Sequence, residues 1–271
     1  MNKPYFPSAW PAEDGGAQRQ QRSGSIDVGT TSQVTSRLSI ASTMVVQRNP
    51  GEWFLLCHTG GDDTVSWVEK FDPLTLEILA RSEDLPAGPA WPGGIGVHAN
   101  GDIYVVYGRY AHRLSPTLEL VAQCELPRNR PYNSFVLLAD GTVVTKDFGG
   151  ARPGDDPHYE ASDCELVALT PDLEIMSRLT LPEGSVARLS ADDHDVYIVG
   201  STALHRVVWR RGELALDPSF EVRYRREGEG YGWDPVIADG AAWFLNNGAG
   251  SEQFDGSLVG KGVATAGLSL V

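Results

Sequence analysis

The sequence predicts an all-β chain: a β-propeller of four-stranded antiparallel blades, about five of them present, in an incomplete ring. Three observations carry this expectation. A turn followed by an apolar run recurs, as NPGEWFLLCH at Asn49, ANGDIYVVYG at Ala99, ADGTVVTKDF at Ala139 and ADGAAWFLNN at Ala238, with a degenerate copy, ADDHDVYIVG, at Ala191. A second element follows the first three copies: FDPLTLEILARSEDLP, LSPTLELVAQCELP and LTPDLEIMSRLTLP. No stretch carries the period of a long amphipathic helix. A four-stranded unit recurring every ~40–55 residues is a propeller blade, whereas a β-sandwich has no reason to repeat one unit.

Residues 1–36 are rich in Gly, Ser, Gln and Thr and sparse in apolar side chains, so they read as a flexible leader. The propeller domain follows over 37–271, with blades near 41–86, 91–127, 131–182, 185–224 and 233–271. In the first three, Pro73, Pro116 and Pro171 preset a turn, Leu-Glu opens the next strand, and Leu-Pro closes it at Pro86, Pro127 and Pro182. The fifth unit has its hairpin and a third strand in VATAGLSLV but no Pro turn or closing Leu-Pro, so a truncated C-terminus is expected, with the N-terminal segment as the other source of missing strands. An open ring exposes a strand edge.

Lys plus Arg total 22 against 36 Asp plus Glu, a net charge of −14. Such an excess repels phosphate backbones and anionic lipid, which excludes nucleic acid and membrane surfaces as expected partners. Cys57, Cys124 and Cys164 lie in apolar runs without pairing spacing and read as buried free thiols. No charged segment followed by an apolar core opens the chain, and no apolar run is long enough to span a bilayer. A reducing, cytoplasmic setting is the expectation.

The stretch RPYNSFVLLADGTVVTKDF, Arg130 to Phe148, reads as one hairpin around Asp140-Gly141. A two-residue turn there would set Ser134 opposite Asp147 and Asn133 opposite Phe148, so both polar ends reach the face where each blade's first strand starts. His58, Tyr107, Asn246, Asn247, Trp233 and Asp234 belong to the same face, as do the long loops 58–66, 149–163 and 247–262. His158 and the acids Asp62, Asp63, Asp155 and Asp156 lie in those loops. Carboxylate and amide oxygens suit a hard cation, and His58 and His158 suit proton transfer or ligand contact, although each residue type is also ordinary loop polarity.

With these residues in view the chain resembles the six-bladed calcium-dependent propellers of the SMP-30/gluconolactonase group and their strictosidine-synthase-like relatives. In that group a metal-ligating Asn precedes an Asp-Gly turn by eight residues, as Asn133 precedes Gly141; Ser134-Phe135 stand where the group has Asp-Gly. The resemblance implies an incomplete six-bladed ring, with Asn133 and Asp234 as ligands of calcium or another divalent cation. No counterpart of the group's N-terminal Glu ligand is read. It further implies lactone or ester hydrolysis with Asp234 or Asp147 as base. The other expectation is a non-catalytic scaffold whose face binds a small molecule or a protein through His58, Tyr107, Trp233, Asn246, Asn247 and His158.

Overall fold

The computed structural model describes residues 4–21, 34–39, 41–61, 63–89, 93–149, 163–248 and 267–270. Apart from one 3₁₀ turn, Glu13–Gly15, its regular structure is all β. The first sheet holds β1 (Ser42–Asn49), β2 (Glu52–His58), β3 (Thr64–Phe71), β4 (Ile78–Arg81) and β5 (Leu85–Gly88). Both β4 and β5 pair with β3, so this sheet's outer strand is broken in two. The second sheet is β6 (Gly94–Val97), β7 (Ile103–Tyr107), β8 (Tyr110–Leu114) and β9 (Leu120–Glu125). The third is β10 (Tyr132–Leu137), β11 (Val143–Asp147), β12 (Glu165–Leu169) and β13 (Ile175–Thr180). The fourth is β14 (Ser190–Asp192), β15 (Asp195–Val199), β16 (Ala203–Arg210) and β17 (Glu213–Arg223). The fifth has three strands among the described residues: β18 (Val236–Ala238), β19 (Ala241–Asn246) and β20 (Gly267–Leu270). All neighbours pair antiparallel in chain order, and the sheets form an open arc of propeller blades.

Four apolar clusters hold the arc together, each between two consecutive blades. Phe54, Leu56 and Val68 meet Ile95, Val105 and Tyr107 at the first seam, and Val136, Val144 and Leu166 meet Val196, Ile198 and Trp209 at the third. A strand packed on both faces is buried along its whole length and mostly apolar, as are IYVVY of β7 and, after Glu165, LVAL of β12. The outer β9 and β13 have one solvated face and alternate instead. Each buried Val or Leu stabilises by about 1.5–3 kcal/mol relative to exposure.

The Pro turns also have a common physical basis. Asp72, Ser115 and Thr170 each accept two backbone N–H bonds from the turn that follows them. The chain then passes through Leu76, Leu118 and Leu173 in the left-handed region, at φ of 63°, 70° and 64°. Burial of Leu118 and Leu173 in the seams offsets that strain.

Part of the stretch read as a leader lies in the middle of the arc. Residues 4–21 run along the innermost strands, and all five of these donate a backbone N–H to them. Gln47 bonds Trp10 O at 2.7 Å, Val97 bonds Pro11 O at 2.7 Å, Ala191 bonds Ala17 O at 2.8 Å and Ile237 bonds Gln18 O at 3.0 Å. In the third blade Leu137 N–H bonds the Tyr5 hydroxyl at 2.9 Å. The inner edges of the blades, which would otherwise be unpaired, are satisfied by one segment. That segment lies along the axis rather than extending the fifth blade.

Candidate functional site

Asp140-Gly141 closes a three-residue turn, not the expected two-residue one: Leu138 N–H bonds Thr142 O, and Gly141 takes φ of 89°. The extra residue shifts the register by one, so Phe135 faces Thr145, and a second shift beyond it sets Tyr132, not Ser134, opposite Asp147. Asn133 and Ser134 are left as a bulge opposite Lys146. Ser134 sits at φ of 65°, a left-handed conformation that a serine adopts only when its surroundings hold it. Those surroundings are dense. Thr145 Oγ1 donates to Ser134 O at 2.6 Å, and a Cβ at Gly94 would lie 2.9 Å from Ser134 Cα.

The bulge turns the Ser134 side chain into a charged network on the axis. Ser134 Oγ donates to Glu13 Oε2 at 2.6 Å and accepts from Arg19 Nη2 at 3.0 Å. Arg19 is 3% exposed; its Nε donates to Leu189 O at 2.6 Å, and its Nη1 pairs with Asp14 at 2.9 Å and Glu13 at 3.1 Å. Burial works against the Arg19 charge, but Glu13, Asp234 and Asp14 outweigh it and raise its pKa above the ordinary arginine value. Arg188 continues the chain of charges, with Nε 2.9 Å from Glu13 Oε1 and Nη1 3.2 Å from Asp234 Oδ2. Asp234 Oδ1 accepts the Arg188 backbone N–H at 2.6 Å.

Asn133 and Asp234 both bond the short segment Val186 to Arg188. Asn133 Nδ2 donates to Val186 O at 3.1 Å, two residues from the amide that Asp234 holds. Asn133 is 2% exposed, and its Oδ1 is buried with no partner. Asp147 is engaged elsewhere. Its Oδ1 accepts from the Gly149 and Glu165 N–H groups, both at 2.9 Å, and its Oδ2 lies 3.0 Å from Arg128. Burial raises its pKa; the two amides and Arg128 offset this only in part. Lys146, fully buried, donates to Ser185 O at 2.8 Å, and burial lowers its pKa.

The other expected contacts form two pairs on the same face. The His58 ring lies 4.5 Å from that of Tyr107, at a 30° tilt, and His58 Nδ1 is 2.8 Å from Thr59 O. The Tyr107 hydroxyl is buried without a partner, and burial pushes its pKa up to about 12. In the fifth blade Trp233, 38% exposed, donates from Nε1 to Asn247 Oδ1 at 2.8 Å. Asn246 and Asn247 are buried, and Asn246 Oδ1 accepts the Gly248 N–H. His158, Asp62, Asp155 and Asp156 lie outside the described residues.

A cavity of about 810 Å³ opens at the opposite, hairpin end of the axis. Its walls are the N-terminal segment, including Tyr5, Phe6, Pro7 and Pro11, with Leu137, Ala139 and Ala191 to Asp193 from the third and fourth blades. Arg19 also borders it but is fully engaged inward. Asp192 accepts one bond from Gln18 at 2.8 Å, and Asp193 is exposed, so carboxylates set the charge of this wall.

The residues present do not fit a divalent cation. Both oxygens of Asp234 already meet Arg188, both oxygens of Glu13 meet guanidinium groups, and those of Asp147 meet two amides and Arg128. Among the described residues no group of three or more His, Cys, Asp or Glu is arranged to hold a metal. Glu13, Arg19 and Arg188 escape a reading of the sequence. The first two sit in a stretch of leader-like composition, and Arg188 sits in a plain connection between blades. Only the pattern YFPSAWP ahead of Glu13, apolar and turn-rich, distinguishes the segment from a linker.

Among the described residues no helix is long and apolar enough to cross a membrane. No protein-family model matches the chain, and no curated protein matches it. Solved structures similar to it include a protein of unknown function from Bacteroides caccae, with 12% identity over 73% of this chain and 66% of that one and a TM-score of 0.47. A streptogramin B lyase structure has 13% identity over 76% of this chain and 62% of that one, with a TM-score of 0.44. A gluconolactonase from Xanthomonas campestris has 16% identity over 73% of each chain and a TM-score of 0.43. The chain spans less than two thirds of the length of the first two. At these similarities no residue role passes from one protein to another.

Proposed function

We propose that this chain is a binding propeller, which takes up a small amphipathic molecule carrying a cationic group in the cavity at the hairpin end of its axis. The cavity itself carries the reading: at about 810 Å³ it has the size that accommodates small ligands, roughly 300–1,000 Å³. Tyr5, Phe6, Pro7, Pro11 and Leu137 offer apolar area, and Asp192 and Asp193 offer charge for an ammonium or guanidinium group. On the opposite face, half-buried His58 and exposed Trp233 are the candidates for contact with a larger partner.

The alternative is metal-dependent hydrolysis of a lactone or ester with Asp234 or Asp147 as base. The ion pairs already made by both carboxylates count against it, because a general base needs a free lone pair within reach of a water. Calorimetry with aromatic amines and matched aromatic carboxylates tests the choice. Amines should bind, carboxylates should not, and the double variant Asp192→Asn, Asp193→Asn should weaken the amines about tenfold. Preference for carboxylates would refute the site, and calcium-dependent lactone hydrolysis lost in Asn133→Ala would establish the alternative.

A further inference from the structure

We propose that the ligand of the axial cavity is a zwitterion of dipeptide size, whose ammonium group meets Asp192 and Asp193 and whose carboxylate meets Arg210 in an adjoining cleft. The inference rests on the reading of the cavity as a binding site and adds the ligand's second charged group.

The adjoining cleft, of about 350 Å³, is lined by Asp192 to Asp195 of the β14–β15 hairpin and by Val208, Trp209 and Arg210 at the end of β16. Asp192 and Asp193 also wall the axial cavity, so the two spaces share this hairpin tip. The tip is held in place from three directions. Asp193 O accepts the Ala139 N–H at 3.1 Å, His194 O accepts the Trp209 N–H at 2.9 Å, and Asp192 Oδ1 accepts from Gln18 at 2.8 Å. The shared wall is therefore preformed, which spares a ligand the cost of ordering it.

Two charges of opposite sign stand uncompensated along the cleft. Asp193 and Arg210 are exposed, and among the described residues neither side chain makes an ion pair or a hydrogen bond. Asp195, in contrast, lies 3.8 Å from Arg206. Asp193 and Arg210 do not neutralise each other, but a molecule with a cation at one end and an anion at the other satisfies both. A carboxylate suits Arg210 because the guanidinium fork offers it two parallel N–H donors. The sequence marks the acidic end. Asp193 stands where other copies of the repeat have Gly101, Gly141 and Gly240, and it takes φ of 56°, a region that favours glycine. The larger cavity keeps the apolar part of the ligand, against Tyr5 and Phe6.

The test is calorimetry on the full chain with phenethylamine, the dipeptide phenylalanylglycine and the C-terminal amide of that dipeptide. The dipeptide should bind at least tenfold more tightly than its amide. Arg210→Gln, a change at an exposed side chain, should abolish the difference and leave phenethylamine and the amide unaffected. Arg210→Lys keeps the charge without the fork and should retain part of the difference. Equal affinity of the dipeptide and its amide for the wild-type chain would overturn the inference, as would an advantage that survives Arg210→Gln. Phenethylamine separates the two failures: if it binds while the peptides bind equally, only the carboxylate contact falls, and if it does not bind, the cavity reading falls as well.

Discussion

Replacing Arg19 by Met tests how much of the fold hangs on the axial segment. The substitution keeps an unbranched apolar stem and removes a guanidinium that is 3% exposed. Four contacts go with it: Leu189 O at 2.6 Å, Asp14 at 2.9 Å, Ser134 Oγ at 3.0 Å and Glu13 at 3.1 Å. Deleting one partner of a buried ion pair costs about 3–5 kcal/mol, because the other charge stays behind. Here Glu13 keeps Arg188, and Asp14 is 24% exposed and can hydrate again, so the lower end, about 3 kcal/mol, applies. That is a large part of the ~5–15 kcal/mol that holds a typical domain together. At this size it corresponds to a fall in Tm of about 6–12 °C. Urea unfolding measures it directly, and an unchanged slope against denaturant confirms that stability alone has moved. Arg19→Lys keeps the charge without the fork and should fall between the two. The double variant with Glu13→Gln should show coupling of about 1 kcal/mol or more. A loss below ~1 kcal/mol for Arg19→Met, the scale of an exposed pair, would refute the docking of the segment.

Three further outcomes are expected. Gly141→Ala places a Cβ 2.9 Å from His98 Nε2 at a φ of 89°, and should destabilise by about 1–2 kcal/mol in urea unfolding; no loss would mean a different turn. Glu183 accepts from Thr202 N, Thr202 Oγ1, Ala203 N and His205 Nε2; burial works against its charge, but these donors hold its pKa below the usual value. Its contribution is therefore complete above the unfolded pKa near ~4.3 and lost as pH falls through the lower folded value. Glu183→Gln should cost about 1–3 kcal/mol at pH 7, and the gap to the wild-type chain should close in acid. Cys57 and Cys164 are fully buried, with thiols pushed up to about 11 and about 12, so iodoacetamide at mildly alkaline pH should label only the half-buried Cys124 until the chain unfolds.

The blades are legible in the sequence because each repeats the same local chemistry. An Asp, Ser or Thr before Pro73, Pro116 and Pro171 caps a turn, and the wholly apolar runs mark strands buried on both faces. What stays hidden depends on geometry that no single stretch encodes. One extra residue in the Asp140-Gly141 turn moves the register by one, and the Asn133-Ser134 bulge moves it once more and aims Ser134 at the axis. Average composition conceals that Tyr5, Trp10 and Arg19 each have a partner far along the chain. Asn133 and Asp234 bond backbone groups two residues apart, Val186 O and the Arg188 N–H, and both Asp234 oxygens are taken up by Arg188. Asp147 reaches the same end and turns instead to its own blade's connections.

Amide hydrogen exchange of the full chain bears most directly on the axial segment. The Val97, Ala191 and Ile237 N–H groups point away from their own blades, to carbonyls of Pro11, Ala17 and Gln18 at 2.7, 2.8 and 3.0 Å. They should exchange as slowly as the paired amides of β7 and β12, and the protection should disappear when residues 1–21 are deleted. Rapid exchange at all three in the intact chain would contradict a segment that closes the inner edges of the blades.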